Sequence, residues 1–369
     1  MAVIRPAESK DIAALLPIDL ACFPYDAMSK RSFRRFIQHE HADFVVVENA
    51  GEVIGYAILL FRQATKLCRL YSFAVAPEFQ GQGHGRALMA WCIQRGQDEH
   101  CLFLRTEVKA DQQDVLDFFH AFGFVHLGLR SDYYDDHSDA LVLQKQLHFF
   151  DSSRVPRLVP HLTQSTPFTC GPASLLMALA WFREPVTQPQ HEELEIWREA
   201  TTIYMTSGHG GCGPHGLARA ALKRGLGVTV WSSQAGPVLL DSVRNEEKRQ
   251  VMSRVQEVDI AALKAAGVKI KVRDYSLKLL AKDLENGRLI IALISTYQFD
   301  RSKAPHWVLI TAIDDEYVYI NDPDDDLLPW QTMTERQYLP IPRSTFEKAF
   351  AYGASRLRTA IVLSDEAIG

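Results

Sequence analysis

Short apolar runs separated by turn residues dominate the first part of the chain. Phe44-Val45-Val46-Val47-Glu48 reads as a strand and Asn49-Ala50-Gly51 as a turn. Val53-Ile54-Gly55-Tyr56-Ala57-Ile58-Leu59-Leu60 reads as the returning strand of a hairpin. Leu70 to Val75 and Leu102 to Val108 are two further strands, with helices expected after Gly85 and after Asp111. In the second helix Val115, Phe118, Phe119 and Phe122 fall at i, i+3, i+4 and i+7, one helical face. Strands alternating with helices after a hairpin predict a mixed α/β sheet.

The pattern restarts near residue 160. Ala173, Leu176, Met177, Ala180 and Trp181 form the apolar face of a helix beginning at Cys170. Pro305 to Ile313 is a strand, Asp314-Asp315 a two-residue turn, and Glu316 to Pro323 the return strand. Asp241 to Lys248 is charged and reads as a solvated helix. Between the two patterns, Phe149-Phe150-Asp151-Ser152-Ser153-Arg154-Val155-Pro156 is a small, polar, proline-punctuated linker. The expected organisation is a first domain over 1–148, a linker over 149–160 and a second domain over 161–369.

The length of 369 residues suits two domains, and 47% apolar residues are ample for two cores. A net charge of −5 gives no general affinity for nucleic acid or for an acidic membrane surface. The six cysteines include no CxxC pair, which argues against a disulfide framework. No signal-peptide core opens the chain and no apolar run spans a bilayer, so a reducing cytoplasmic setting is expected.

In the first half the chemistry concentrates in Gln80-Gly81-Gln82-Gly83-His84-Gly85-Arg86, between a strand and a helix. Glycines let the backbone approach a ligand, and the amides of Gln82 to Arg86 would face an anion such as a pyrophosphate at the helix N-terminus. Gln80-x-x-Gly83-x-Gly85 resembles the acyl-CoA loop of the GNAT acetyltransferase superfamily. Val3-Ile4-Arg5-Pro6-Ala7, Glu107-Val108 and Phe122-Gly123-Phe124 fall in that family's order, and Tyr133-Tyr134 with Asp139 to Leu143 resembles the closing strands of ribosomal-protein alanine acetyltransferases.

That resemblance covers about 145 residues and implies acetyl transfer from acetyl-CoA to an amine of a peptide or protein. It implies a cofactor strip from Phe73, Ala74 and Val75 through Gln80, Gly81, Gln82, Gly83, His84, Gly85 and Arg86, with the Val75 N–H polarising the thioester. Glu107 is the candidate general base. The family's acid tyrosine falls at Phe119 here, so Tyr133, Tyr134 or His120 would have to substitute.

In the second half Cys170-Gly171-Pro172 begins a helix, where the dipole favours a thiolate. The hairpin places His306 opposite Pro323, one step from Asp322, so a His–Asp pair is expected on adjacent strands. An imidazole oriented by a carboxylate is the base a cysteine nucleophile needs, and Asn321 could serve in place of Asp322. Gln164 is a candidate oxyanion donor.

Gln164, the run Cys170-Gly171-Pro172-Ala173-Ser174, His306-Trp307-Val308-Leu309 and Asp322-Pro323 together resemble the papain-like cysteine peptidases that cut double-glycine leader peptides. His209, Cys212 and His215 lie in a glycine loop but lack a fourth ligand, so no metal is expected.

The fold expected is thus α/β plus α+β. A GNAT-type mixed sheet flanked by helices is followed by a papain-like domain with an N-terminal cysteine helix and an antiparallel sheet. The function expected is bifunctional: acetyl transfer by the first domain and thiol-dependent peptide or amide cleavage by the second. Two alternatives stay open: a second domain that only grips peptide, and an acyl-CoA-sensing first domain that regulates the second. The partners expected are acetyl-CoA and a peptide or protein.

Overall fold

In the computed structural model, residues 2–148, 159–202, 210–243, 245–300, 304–324 and 332–365 are described. Two compact units divide at Phe150. Residues 149–158 of the expected linker lie outside the described residues, as does His209.

The first unit holds strands β1 (Val3–Pro6), β2 (Ala42–Asn49), β3 (Glu52–Phe61), β4 (Leu67–Val75), β5 (Phe103–Lys109), β6 (Val125–Arg130) and β7 (Ala140–Gln146). Their order is β1-β2-β3-β4-β5-β7-β6, and only β4 and β5 run parallel. The β2–β3 hairpin closes through Ala50 (φ 52°) and Gly51 (φ 84°), the left-handed pair that a two-residue loop needs.

Helices α1 (Ile12–Cys22), α2 (Lys30–Ile37), α3 (His84–Asp98) and α4 (Gln113–Ala121) cover the sheet. Val45, Val47, Ala57 and Leu59 face Leu88, Met89 and Cys92 of α3. The alternate positions Phe44 and Tyr56 meet Phe33 of α2, so the sheet is buried on both faces.

The α4 periodicity is offset from expectation. Leu116 and Phe119 are buried, whereas Val115 is 38% exposed. Phe118 and Phe122 only border the core, so the burying stripe is centred one residue away from the expected one.

The second unit holds α5 (Cys170–Phe182), α6 (Pro189–Ala200), α7 (Pro214–Lys223), β8 (Gly227–Ser232), α8 (Glu246–Ala265), β9 (Lys269–Val272), α9 (Leu277–Glu285), β10 (Leu289–Ser295) and α10 (Tyr297–Asp300). It ends with β11 (Pro305–Ile313), β12 (Tyr317–Asn321), β13 (Leu339–Pro342), α11 (Arg343–Ala349) and β14 (Thr359–Ser364). The strand order is β13-β12-β11-β10-β14-β8-β9. The expected antiparallel sheet holds as far as β8, but β9 joins β8 in parallel. The long helix α8 is the crossover that a parallel pair requires.

Three local expectations also change. Every residue from Cys170 to Leu179 is buried, so α5 is a central helix with no solvent face until its last turn. Trp181, assigned to its apolar face, is 37% exposed. Asp241 to Lys248 is not one helix: a single turn at Leu240–Ser242 ends, and α8 starts afresh at Glu246 with Asn245 capping Lys248 N–H. The β11–β12 loop is shifted too. Ile313 pairs with Val318, Asp314 N–H donates to Tyr317 O, and a bulge at Thr311 shifts the register. Asp315 and Glu316 therefore make the turn, in place of Asp314 and Asp315.

Candidate functional site

Two clusters carry chemistry, one in each unit. In the first, β4 and β5 pair through Leu67–Phe103, Cys68–Leu104 and Arg69–Arg105, and the register then ends. Thr106 Oγ1 bonds Leu70 O at 3.1 Å where the strands part. Ala76 N–H donates to Ile54 O on the β3 side. Strand alternation therefore turns the Val75 N–H toward the opened edge. The Val75 carbonyl on that edge accepts from Gln80 Nε2 at 2.9 Å and from Cys22 Sγ at 3.5 Å. Gln80 is thus a brace of the loop.

Gly81 (φ 72°) and Gly83 (φ 89°) adopt left-handed backbone that other residues resist, and Gly83 caps α3. No acidic side chain lies in the first turn of α3, whose free amides suit an anion. Phe73, two residues before Val75, packs against Phe118 and Phe119. Arg86 lies over the Phe122 ring.

Glu107, the expected base, is held in an ion pair. Its Oε2 accepts from Arg69 Nε at 2.9 Å and Nη2 at 2.8 Å, with both side chains 4% exposed. Arg69 also donates to Tyr133 OH at 3.1 Å. Burial, with the charges of Tyr133 and Glu107, pushes the Tyr134 phenol well above its ordinary range, so it stays protonated. Phe119 is buried among Phe73, Phe118 and Phe124.

In the second unit, the first residue of α5 is Cys170. Its sulfur accepts the Trp307 backbone N–H at 3.5 Å, which sets it beside His306, the preceding residue on β11. His306 Nε2 meets Asp322 Oδ1 at 2.7 Å, so Nδ1 is the ring nitrogen left for sulfur. Burial alone would strip the imidazolium proton. The Asp322 carboxylate and the Cys170 sulfur outweigh it and hold the His306 pKa well above the usual range.

Packing places this row. A Cβ on Gly171 would come within 2.7 Å of Leu217 Cδ1 and 3.2 Å of Trp307 Cδ1, so glycine lets α5 approach α7 and β11. Trp307 Nε1 donates to Cys212 O at 3.0 Å, and Ser174 Oγ to Trp307 O at 3.3 Å. Gln164 is buried, and its backbone N–H donates to Pro323 O, next to Asp322, at 2.8 Å.

Asn321, the alternative orienting residue, is consumed elsewhere. Its Nδ2 donates to Val159 O and its Oδ1 accepts Tyr338 N–H. Cys212 is buried behind Trp307. Burial drives the His215 pKa down to about 4. Among the described residues no group of three or more His, Cys, Asp or Glu could hold a metal, and no helix is long and apolar enough to cross a membrane.

The structure adds residues that sequence spacing missed. Arg336 reaches Asp322 Oδ2 at 2.7 Å and Asp324 Oδ2 at 2.9 Å. Arg69 meets Glu107 from a neighbouring strand, and Cys22 touches Val75 from α1.

The profile of the Peptidase_C39 like family matches residues 159–364, and that of the Acetyltransferase (GNAT) family matches residues 12–124. The [Ribosomal protein bS18]-alanine N-acetyltransferase of Escherichia coli (strain K12) is 27% identical over 150 residues, which are 39% of this chain and 96% of that protein. Its counterpart crystal structure from Escherichia coli aligns at 24% identity with a TM-score of 0.37, covering 41% of this chain and 96% of the other. A putative acetyltransferase from Salmonella typhimurium, solved with its cofactor acetyl-CoA, aligns at 19% identity and a TM-score of 0.37, with 41% and 96% covered.

Proposed function

The chain belongs to the Peptidase_C39 like family and carries a GNAT acetyltransferase domain, and from that premise we propose a bifunctional enzyme. Its first unit moves the acetyl group of acetyl-CoA to an amine of a peptide or protein. Its second cleaves a peptide or amide bond through Cys170.

The observation that carries the second activity is the buried set at the start of α5: Cys170, whose sulfur accepts the N–H of Trp307 next to His306, and the His306–Asp322 pair. In that chemistry the Cys170 sulfur bonds the scissile carbonyl carbon. The oxyanion meets the unpaired N–H of Cys170 and the Gln164 amide. His306 passes its proton to the leaving amine, and the C–N bond breaks. Water, deprotonated by His306, then releases the acid and restores the thiol.

In the first unit, the pyrophosphate of acetyl-CoA would lie on the amides of Gly81 to Arg86, and the Val75 N–H would bond the thioester oxygen. The amine attacks the acetyl carbon, and the thiolate of coenzyme A leaves. Tyr134, held protonated, is the donor for that thiolate, and the Arg69-paired Glu107 accepts the amine proton through solvent. Mass spectrometry of cell peptides incubated with the protein, with and without acetyl-CoA, tests both activities. Acetylated products that need acetyl-CoA and new termini lost in Cys170→Ser support them; neither product defeats the reading.

A second reading is favoured by two observations. The expected base Glu107 is ion-paired with Arg69, and Phe119 stands where a proton donor is expected. A first unit that binds acyl-CoA and regulates the second would leave peptides unacetylated while acetyl-CoA changes the rate of cleavage.

A further inference from the structure

We propose that Arg336 is a positioning residue for the thiol centre: its guanidinium fixes the charge and the rotation of the Asp322 carboxylate that orients His306. The inference rests on the reading of Cys170 and His306 as nucleophile and base.

The Asp322 carboxylate is engaged on both oxygens. Oδ1 accepts His306 Nε2 at 2.7 Å and the Asp324 N–H at 3.1 Å, while Oδ2 accepts Arg336 Nη1 at 2.7 Å. A carboxylate held on both oxygens cannot rotate away from the imidazole. The backbone repeats the tie, because Asp322 N–H donates to Arg336 O at 2.8 Å. His161 Nε2 meets Asp322 O at 2.8 Å.

Arg336 and Asp322 are buried, and the second guanidinium arm pairs with Asp324. One cation therefore separates two neighbouring carboxylates. The charged and titratable groups around Asp322 are His306 on β11, Cys170 beyond it on α5, His161, Asp324, Arg336 and the nearby Glu335. Without the guanidinium, the Asp322–Asp324 repulsion favours protonation of one carboxyl. A neutral Asp322 no longer supports the imidazolium, and the base that activates Cys170 is weakened.

The pH dependence of Cys170 alkylation by iodoacetamide, followed site by site by peptide mass spectrometry, reads this directly. In Arg336→Met the acid limb of the profile moves to higher pH by about one unit, the size expected when an Asp loses an adjacent Arg. Arg336→Lys keeps the charge but loses the fork, so its limb returns most of the way toward wild type. Asp324→Asn keeps Arg336, removes the second negative charge and moves the limb the other way. Acid limbs superimposed on wild type in the folded variants overturn the proposal, since loss of packing alone lowers the amplitude without moving the limb. His306→Gln separates the two claims. Loss of neutral-pH alkylation there upholds the base whatever Arg336 does, and a wild-type profile there defeats the underlying reading.

Discussion

Gly171→Ala tests whether close helix packing is what sets the cysteine in place. The new Cβ would sit 2.7 and 3.1 Å from the two Leu217 methyls and 3.2 Å from Trp307 Cδ1, against ordinary carbon contacts of about 3.5–4.0 Å. Leu217 is the flexible neighbour, but it is fully buried, and Trp307 is tied to Cys212 O. Forcing an extra methyl into such a site costs about 1–3 kcal/mol. The helix propensity of alanine returns about 1 kcal/mol at most. A net loss of up to about 2 kcal/mol is expected, read as a lower urea midpoint.

If α5 yields instead of Leu217, sulfur moves off the Trp307 N–H and His306, and Cys170 alkylation slows several-fold. Gly211→Ala is the control, because nothing lies within 4 Å of its new Cβ. It should stay within a few tenths of a kcal/mol of wild type. Wild-type stability and wild-type alkylation in Gly171→Ala would refute the packing argument.

Asp322→Asn places an amide between His306 and Arg336, so one of them meets a donor where it needs an acceptor. Cys170 alkylation at neutral pH should fall toward that of an ordinary thiol, and retention of the wild-type rate would contradict the orienting role. His306, whose folded pKa is raised, contributes stability that is whole below its unfolded value of about 6.5 and fades as pH climbs through the raised one. The stability gap between wild type and His306→Gln should therefore narrow on the alkaline side in urea titrations from pH 6 to 10, and a widening gap would reverse the assigned sign. Glu107→Gln leaves the Arg69 guanidinium buried without its counter-ion and should destabilise the first unit by about 3–5 kcal/mol. Tyr134→Phe should lower acetyl transfer with a much smaller change in melting; equal losses in the two variants would argue against a specific role for Tyr134.

Features decided within a few residues were legible in the sequence. The turn at Ala50-Gly51, the glycines before α3 and the placing of Cys170 at a helix start all follow from backbone preferences at the residues themselves. The His306–Asp322 pair was legible because a hairpin converts sequence distance into spatial register, and a turn misplaced by one residue left the two within reach. What depends on distant partners was not legible. The parallel β8–β9 pair, the burial of α5 on every side and the use of Asn321 by Val159 and Tyr338 are set by elements far along the chain. Arg336 on Asp322 and Arg69 on Glu107 belong to the same class. A single residue's pattern reports its own backbone and its burial, whereas the partner that neutralises a buried charge is chosen only when the sheets close.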